Sequence, residues 1–338
     1  MERNVLVVRS DSDGDVLTAG PAVRAAAASA RVTLLCGPSG ERAARMLPGV
    51  AEVSVWDCPW IAADPPPVVE SEVGALVAWM RAGRFDAALL LTSFHQSPLP
   101  MALLARLAGV RFIAAVSEDY PGSLLDVRLR PGSDVEELVP EPERALAVAE
   151  AAGFTLPPGD DGRLRVCGVE EAADLPRPYV VVHPGASAPA RAWSPHRCAE
   201  AVAALAERGH RVVVTGGPDE RALTARVAGA HGIDLGGRTS FPRLAGVLAG
   251  ADAVVVGNTG PAHLAAAVGT PVVSLFSPVV PAAKWAPYRA EVVLLGDQHA
   301  ACAGTRAKEC PIPGHPCLDG VSVEEVVSVV DELVGVRA

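Results

Sequence analysis

The chain has 338 residues, 50% of them hydrophobic but only 4% aromatic, and a formal net charge of -10. That length suggests two domains of roughly 150 residues each, and the acidic balance excludes a general nucleic-acid binder, which needs a broad basic surface to displace counterions. No stretch approaches the ~20 apolar residues of a membrane span, and the N-terminus runs into a strand with no basic leader, so a cytoplasmic protein with at most peripheral membrane contact is expected.

Residues 4–9 read as an apolar strand, 16–30 as an Ala-rich helix and 31–36 as a second strand, an order that implies a parallel pair with a crossover helix. Further strands are expected at 53–56, 87–91 and 111–116, with helices at 39–47, 71–82 and 99–107 between them. A strand at 125–129 and a helix at 141–152 lead into Pro157-Pro158-Gly159-Asp160-Asp161-Gly162, where Pro and Gly can continue neither element. The connection is therefore placed between about 155 and 178, giving an N-terminal domain over 1–172 and a C-terminal one over 173–338.

The second half restarts the alternation with a strand at 179–183 and a helix at 196–208, opened by Ser194 as N-cap and Pro195 at the first helical position. Strands at 211–215, 233–235, 252–257 and 271–276 alternate with helices at 219–230, 241–249 and 261–268. An amphipathic helix at 321–334 ends the chain and could return to the first half. The fold class is α/β, two doubly wound Rossmann-like domains, which bind ligands at the carboxyl ends of their strands and so face a central cleft.

Five segments carry chemistry. Asp11-Ser12-Asp13-Gly14-Asp15 follows the first strand, and a carboxylate there could take a proton from an attacking hydroxyl; Asp15 is the best candidate, because Gly14 frees the turn and Val16 begins the helix. The competing reading is that Asp13 or Asp15 only caps that helix. His183-Pro184-Gly185-Ala186-Ser187 with Arg191 offers a guanidinium fork and the Ser187 hydroxyl to a diphosphate, or is an ordinary loop. Gly216, Gly217 and Glu220 suit the approach of a nucleoside and its ribose hydroxyls, although an acid at that position also favours any helix start. Gly236-Gly237-Arg238-Thr239-Ser240 is a similar, weaker loop. Asn258-Thr259-Gly260-Pro261-Ala262-His263 opens from a buried strand into a helix, which presents backbone N–H groups and a positive dipole end to a diphosphate, with His263 facing the same ligand. Asp13 and His95 are acceptor-side candidates. Cys302, Cys310 and Cys317, near His315, lack the tight pair of a structural zinc knuckle, and free thiols, a disulfide and a metal stay open there. No metal is assigned to the site and no cofactor is expected.

Together these segments resemble the ADP-heptose:lipopolysaccharide heptosyltransferase family, glycosyltransferase family 9. The likeness runs through Gly14-Asp15-Val16-Leu17, His183-Pro184-Gly185, Arg191-Ala192-Trp193, Gly216-Gly217-Pro218 with Glu220, and Asn258 to Ala267. The resemblance implies a GT-B fold and metal-independent, inverting transfer of a sugar, most simply heptose from ADP-heptose, to a sugar, glycolipid or small-molecule glycoside acceptor. It also implies that the N-terminal domain binds the acceptor and the C-terminal domain the nucleotide sugar. It assigns the base to Asp15, the diphosphate to Arg191, ribose to Glu220, and phosphates or donor sugar to Thr259, Gly260 and His263. Two positions depart from the family pattern, with Asn258 where many members have Asp and Arg191 where they have Lys. Arg24, Arg42, Arg45 and Arg84 are the basic residues the first half offers to a phosphorylated acceptor. An epimerase or hydrolase on the same scaffold, and a non-catalytic nucleotide-sugar binder, are the alternative functions.

Overall fold

The computed structural model describes residues 3–61 and 65–335. The chain forms two compact units that divide between Cys167 and Gly168. The first contains β1 (Arg3–Arg9), α1 (Asp13–Thr18), α2 (Gly20–Ala27), β2 (Ala30–Cys36), α3 (Glu41–Ala44), β3 (Val50–Val55), α4 (Glu70–Gly83), β4 (Ala87–Leu90), α5 (Leu99–Leu107), β5 (Phe112–Val116), β6 (Val127–Leu129) and α6 (Glu141–Ala151). Its strands make one parallel sheet in the order β3-β2-β1-β4-β5-β6. The run Val5, Leu6, Val7 is completely buried, as expected of a central strand covered on both faces.

The second unit contains β7 (Val180–His183), α7 (Pro195–Glu207), β8 (Val212–Val214), α8 (Arg221–Ala228), β9 (Gly232–Asp234), α9 (Phe241–Ala249), β10 (Ala253–Gly257), α10 (Gly260–Val268), β11 (Val272–Leu275), α11 (Ala282–Trp285), β12 (Val292–Leu295), α12 (Pro316–Asp319) and α13 (Val323–Gly335). Its parallel sheet runs β12-β11-β10-β7-β8-β9, the topology of the first sheet traced from the opposite edge. In each sheet the direction of strand addition reverses once, between β1 and β4 and between β7 and β10. Such a reversal leaves a crevice at the carboxyl ends of the two strands, because their following helices lie on opposite faces.

Local signals set the helix ends. Ser194 and Ser240 accept hydrogen bonds from the backbone N–H of Arg197 (3.2 Å) and Arg243 (3.1 Å), each with a proline in the first turn that follows. Gly269, at φ 79°, closes α10 in the left-handed conformation that Cβ disfavours. The expected helix over 16–30 is instead two helices, α1 and α2, and it starts earlier, at Asp13, because Ser12 is the N-cap.

The segment between α6 and β7 has no helix or strand, yet it is pinned at both ends. Arg24 holds Asp160 (2.6 Å) and the Cys167 N–H donates to Met46 O (2.8 Å) within the first unit, whereas the Glu170 N–H donates to Pro242 O (3.1 Å) within the second. The apolar face of α13, for which the sequence allowed a return to the first half, packs in its own unit. Val326, Val327, Val330 and Leu333 join the core beneath α7 and β10. No helix among the described residues is long and apolar enough to cross a membrane.

Candidate active site

In the first unit the chemistry gathers where β1 and β4 end. Arg9, the last residue of β1, is 2% exposed, and its guanidinium lies 3.3 Å from Asp11, 3.0 Å from Asp15 and 3.9 Å from Glu141. It also donates to Ser93 Oγ (3.0 Å), in the loop after β4. Asp15 is the third residue of α1 and completes a capping box: its carboxylate accepts from the Ser12 N–H (3.2 Å) and hydroxyl (2.7 Å). The acid that the sequence placed just before the helix therefore sits in its first turn, with one oxygen on Ser12 and the other on Arg9.

Burial pushes the Asp15 carboxyl upward, but the Arg9 charge and the Ser12 hydrogen bonds outweigh it and hold the group below the usual carboxylate range. Asp11 goes the other way. Burial raises it, Asp15 adds repulsion, and attraction to Arg9 with hydrogen bonds from Gln96 (2.6 Å) and Ser93 (3.5 Å) only partly offsets this. One guanidinium among several carboxylates thus keeps Asp15 ionised and Asp11 inclined to hold a proton.

The two acceptor-side candidates do not join this cluster. Both oxygens of Asp13 are taken within the fold, by Ala43 N–H (3.0 Å) and by Arg42 (3.0 and 2.6 Å), so Asp13 ties α1 to α3. His95 lies on the exposed loop after β4, its ring 5.3 Å from that of Phe94.

In the second unit β7 and β10 end in small and neutral groups. His183 closes β7 and shares a hydrogen bond with the Thr215 hydroxyl (2.9 Å). Burial depresses its pKa and nearby Glu220 only partly restores it, so the imidazole is neutral at pH 7. Glu220 folds back over the loop, accepting from the Gly217 N–H (2.7 Å). A Cβ on Gly216 would fall 2.5 Å from Thr224 Cγ2, so that position needs glycine for close approach, whereas one on Gly185 would meet only the movable tip of Glu220, at 1.8 Å from Oε1. Gly217 thus anchors Glu220.

Gly257 ends β10, and a Cβ there would meet the Arg191 carbonyl oxygen at 2.5 Å. The loop carrying half-buried Arg191 is thereby packed onto the strand that leads to Thr259. Thr259 caps α10 with its backbone alone. Its N–H donates to Gly257 O and the Ala262 N–H to Thr259 O, while Pro261 has none, so the first-turn donor left for a ligand is the Gly260 N–H. His263, 7% exposed, lies edge-on to Trp285 of α11 with ring centroids 6.4 Å apart.

Two donor-side residues differ from expectation. Asn258 is spent on the backbone of Ser277, its amide donating to Ser277 O (3.2 Å) and its carbonyl accepting from Ser277 N–H (3.3 Å). It shapes the loop after β11, a task that aspartate, an acceptor only, would half fulfil. Ser187 is exposed and has no such anchoring.

Sequence reading named Asp11 only within the acidic turn and missed Arg9, Ser93, Gln96 and Glu141 around Asp15. A charged residue ending an otherwise apolar central strand, as Arg9 does, was the available signal. Lys284, buried in α11, was missed because the Pro-rich stretch around it hid a four-residue helix.

Buried Cys302 and Cys317 lie close enough to interact, with Cys310 nearby. Burial first, then the neighbouring sulfurs, push the Cys317 thiol up to about 11, and all three are free thiols. No group of three or more His, Cys, Asp or Glu among the described residues is arranged to hold a metal ion.

Two Rossmann-like sheets, each with its polar residues at the strand reversal, define an α/β protein of the two-domain GT-B type. The sequence profile of glycosyltransferase family 9 (heptosyltransferase) matches residues 73–315, and the chain belongs to that family. Lipopolysaccharide heptosyltransferase 3 of Escherichia coli is 29% identical over 218 residues, 60% of this chain and 62% of that protein, so the chain spans about three fifths of this relative's length. The E. coli ADP-heptose lps heptosyltransferase II structure superposes with a TM-score of 0.74 at 19% identity, covering 100% of this chain and 99% of that one. E. coli heptosyltransferase WaaC with ADP-2-deoxy-2-fluoro heptose gives 0.70 at 20% identity, covering 97% and 99%. At these identities the structural likeness is one of fold.

Proposed function

We propose that the protein is an inverting glycosyltransferase that moves a heptose from ADP-heptose to an acceptor hydroxyl. The observation that carries this reading is the β7/β10 reversal, where the Gly260 N–H at the N-terminus of α10 and the Arg191 loop packed on Gly257 suit a diphosphate. The acceptor oxygen attacks the anomeric carbon as the bond from that carbon to the β-phosphate oxygen breaks, ADP leaves with its electrons, and Asp15 takes the acceptor's proton. Arg191, Gly260 and the α10 dipole offset the charge growing on the diphosphate, and Glu220, held by Gly217, offers its other oxygen to ribose.

A carboxylate as acidic as Asp15 suits this chemistry. The acceptor hydroxyl becomes strongly acidic only as its bond to carbon forms, so a weak base that is always ionised can collect the proton late. Arg9 keeps it ionised and oriented. Because protein groups meet the leaving-group charge, we also propose that no divalent metal is needed, and turnover should persist in EDTA. A cytoplasmic location, with at most peripheral contact with a membrane, belongs to the same proposal.

Release of ADP from ADP-heptose, measured with a panel of sugar, glycolipid and glycoside acceptors, tests the reading. Asp15→Asn should lower turnover by about 10²- to 10⁴-fold while ADP affinity stays unchanged. Near-normal turnover in that variant would refute the assignment, and rapid loss of ADP-heptose with no acceptor present would favour a hydrolase.

A further inference from the structure

Besides the Arg9 cluster, the first unit has a shallow cleft at the carboxyl ends of β1 and β4, open to solvent, whose enclosed part is about 20 Å³. That is room for a hydroxyl group and no more, so a sugar ring or aryl group would lie against the rim and insert one hydroxyl, and a lipid chain would not enter. Trp60, Ile61 and Met101 give it an apolar wall, and Ser10, Thr92 and Gln96 its polar groups. Trp60 is braced by Trp56, with ring centroids 5.4 Å apart at 60°.

We propose that this cleft is an acceptor subsite for an uncharged glycoside, bound with the apolar face of its sugar or an aryl aglycone against Trp60. The proposal rests on the transferase reading above. Three observations support it. First, among the described residues no Lys or Arg lines the cleft, and a carboxylate stands directly behind its wall, where Gln96 donates to Asp11. Beyond it two buried cations, Arg9 and Arg144, stand among three carboxylates, Asp11, Asp15 and Glu141, so an anion entering here gains little attraction.

Second, three of the four basic residues that the sequence offered to a phosphorylated acceptor are already paired, and the fourth, Arg84, is exposed at the end of α4. Arg24 holds Asp160, Arg42 holds Asp13 and Arg45 holds Glu41, each at 2.6 Å. Third, the Thr92 hydroxyl is buried with no hydrogen-bond partner among the described residues. It lines both this cleft and a small neighbouring cavity that reaches Arg9, Glu141 and Arg144. An unsatisfied buried hydroxyl is costly, and a sugar hydroxyl at the junction would satisfy it. The cleft also connects to the proposed base through Gln96, Asp11, Arg9 and Asp15, all in contact.

Saturation-transfer NMR with 4-nitrophenyl β-D-galactopyranoside and its 6-phosphate, on the full chain without donor, tests the subsite; ADP titration of the same samples monitors the other unit. The neutral glycoside should bind, and the 6-phosphate should bind at least about tenfold more weakly. Trp60→Ala should weaken the neutral glycoside by about tenfold or more with ADP affinity unchanged. Thr92→Val, which keeps the shape, should fold normally and still lose affinity. Equal or tighter binding of the phosphate, no effect of Trp60→Ala, or no binding of the neutral glycoside by protein that binds ADP would each overturn the proposal. Glycoside binding with no ADP binding would instead sink the transferase reading and leave the subsite standing.

Discussion

At the end of β1 a buried guanidinium is surrounded by Asp11, Asp15 and Glu141, whereas at the corresponding end of β7 a neutral imidazole meets a hydroxyl among Gly185, Gly216 and Gly257. Both strands occupy the same place in the same topology. The fold therefore fixes where a ligand meets the sheet, and the side chains decide what happens there. In the proposed function the dense opposite charge would set a proton acceptor, and small residues, the Gly260 N–H and a helix dipole would leave room for an anion and attract it.

The comparison breaks most severely at Arg9. Arg9→Met leaves Asp11 and Asp15 without their guanidinium and Glu141 with Arg144 as its neighbouring cation, and should cost about 3–5 kcal/mol in urea unfolding along with all turnover. A loss below about 1 kcal/mol would show the cluster to be solvated like a surface network.

The glycines of the second site sharpen it further. Gly257→Ala drives a methyl into the Arg191 backbone, so the loop must move, at about 1–3 kcal/mol of stability and with weaker ADP binding. In Gly185→Ala the clash is with the tip of the Glu220 side chain, which can swing away. Calorimetry and thermal melting should show that variant losing ADP affinity but almost no stability; equal melting-temperature losses for the two would contradict the packing described here.

Acid titration separates pairing from catalysis. Arg24 and a backbone N–H hold the Asp160 carboxyl down to about 2, below its ordinary 3.8. A depressed acid contributes stability that is full above the unfolded value and lost as pH falls through the folded one, here between about pH 4 and 2. Asp160→Asn should flatten stability over that window and leave turnover unchanged. The proposed base is likewise depressed, so the kcat/KM profile should show no acid limb from Asp15 above about pH 4.

The smallest effects belong to the thiols. Burial pushes Cys58 and Cys198 up to about 12, so they should resist iodoacetamide at pH 8, and exposed Cys167 should be alkylated first without loss of activity. Mass spectrometry of partly labelled protein reads that order.

Much of this was legible in the chain itself. The helices expected at 99–107 and 241–249 match α5 and α9, because a proline in the first turn and, for α9, the Ser240 cap mark their starts. The break between α1 and α2 was hidden in an Ala-rich run with no local stop signal, and α11, β12 and α12 are four-residue elements in a Pro/Gly-rich stretch.

Asp15 and the Thr259-Gly260 turn could be read because each sits in one short segment. The close partners of Asp15, Ser12 and Arg9, are also local, but the residues that hold Arg9 and Asp11 could not be read. Ser93 reaches Arg9 across 84 positions and Gln96 reaches Asp11 across 85, contacts made only when β4 pairs with β1. The structural partner of Asn258, Ser277, likewise arrives only with β11.

Calorimetric titration of ADP into the wild type, Arg191→Met and Asp15→Asn tests the division of labour most directly. Arg191→Met should weaken ADP by about 10- to 100-fold, and Asp15→Asn should bind it as the wild type does while failing to turn over. Unchanged ADP affinity in Arg191→Met, or a matching loss in Asp15→Asn, would contradict a donor held by the second unit and a base supplied by the first.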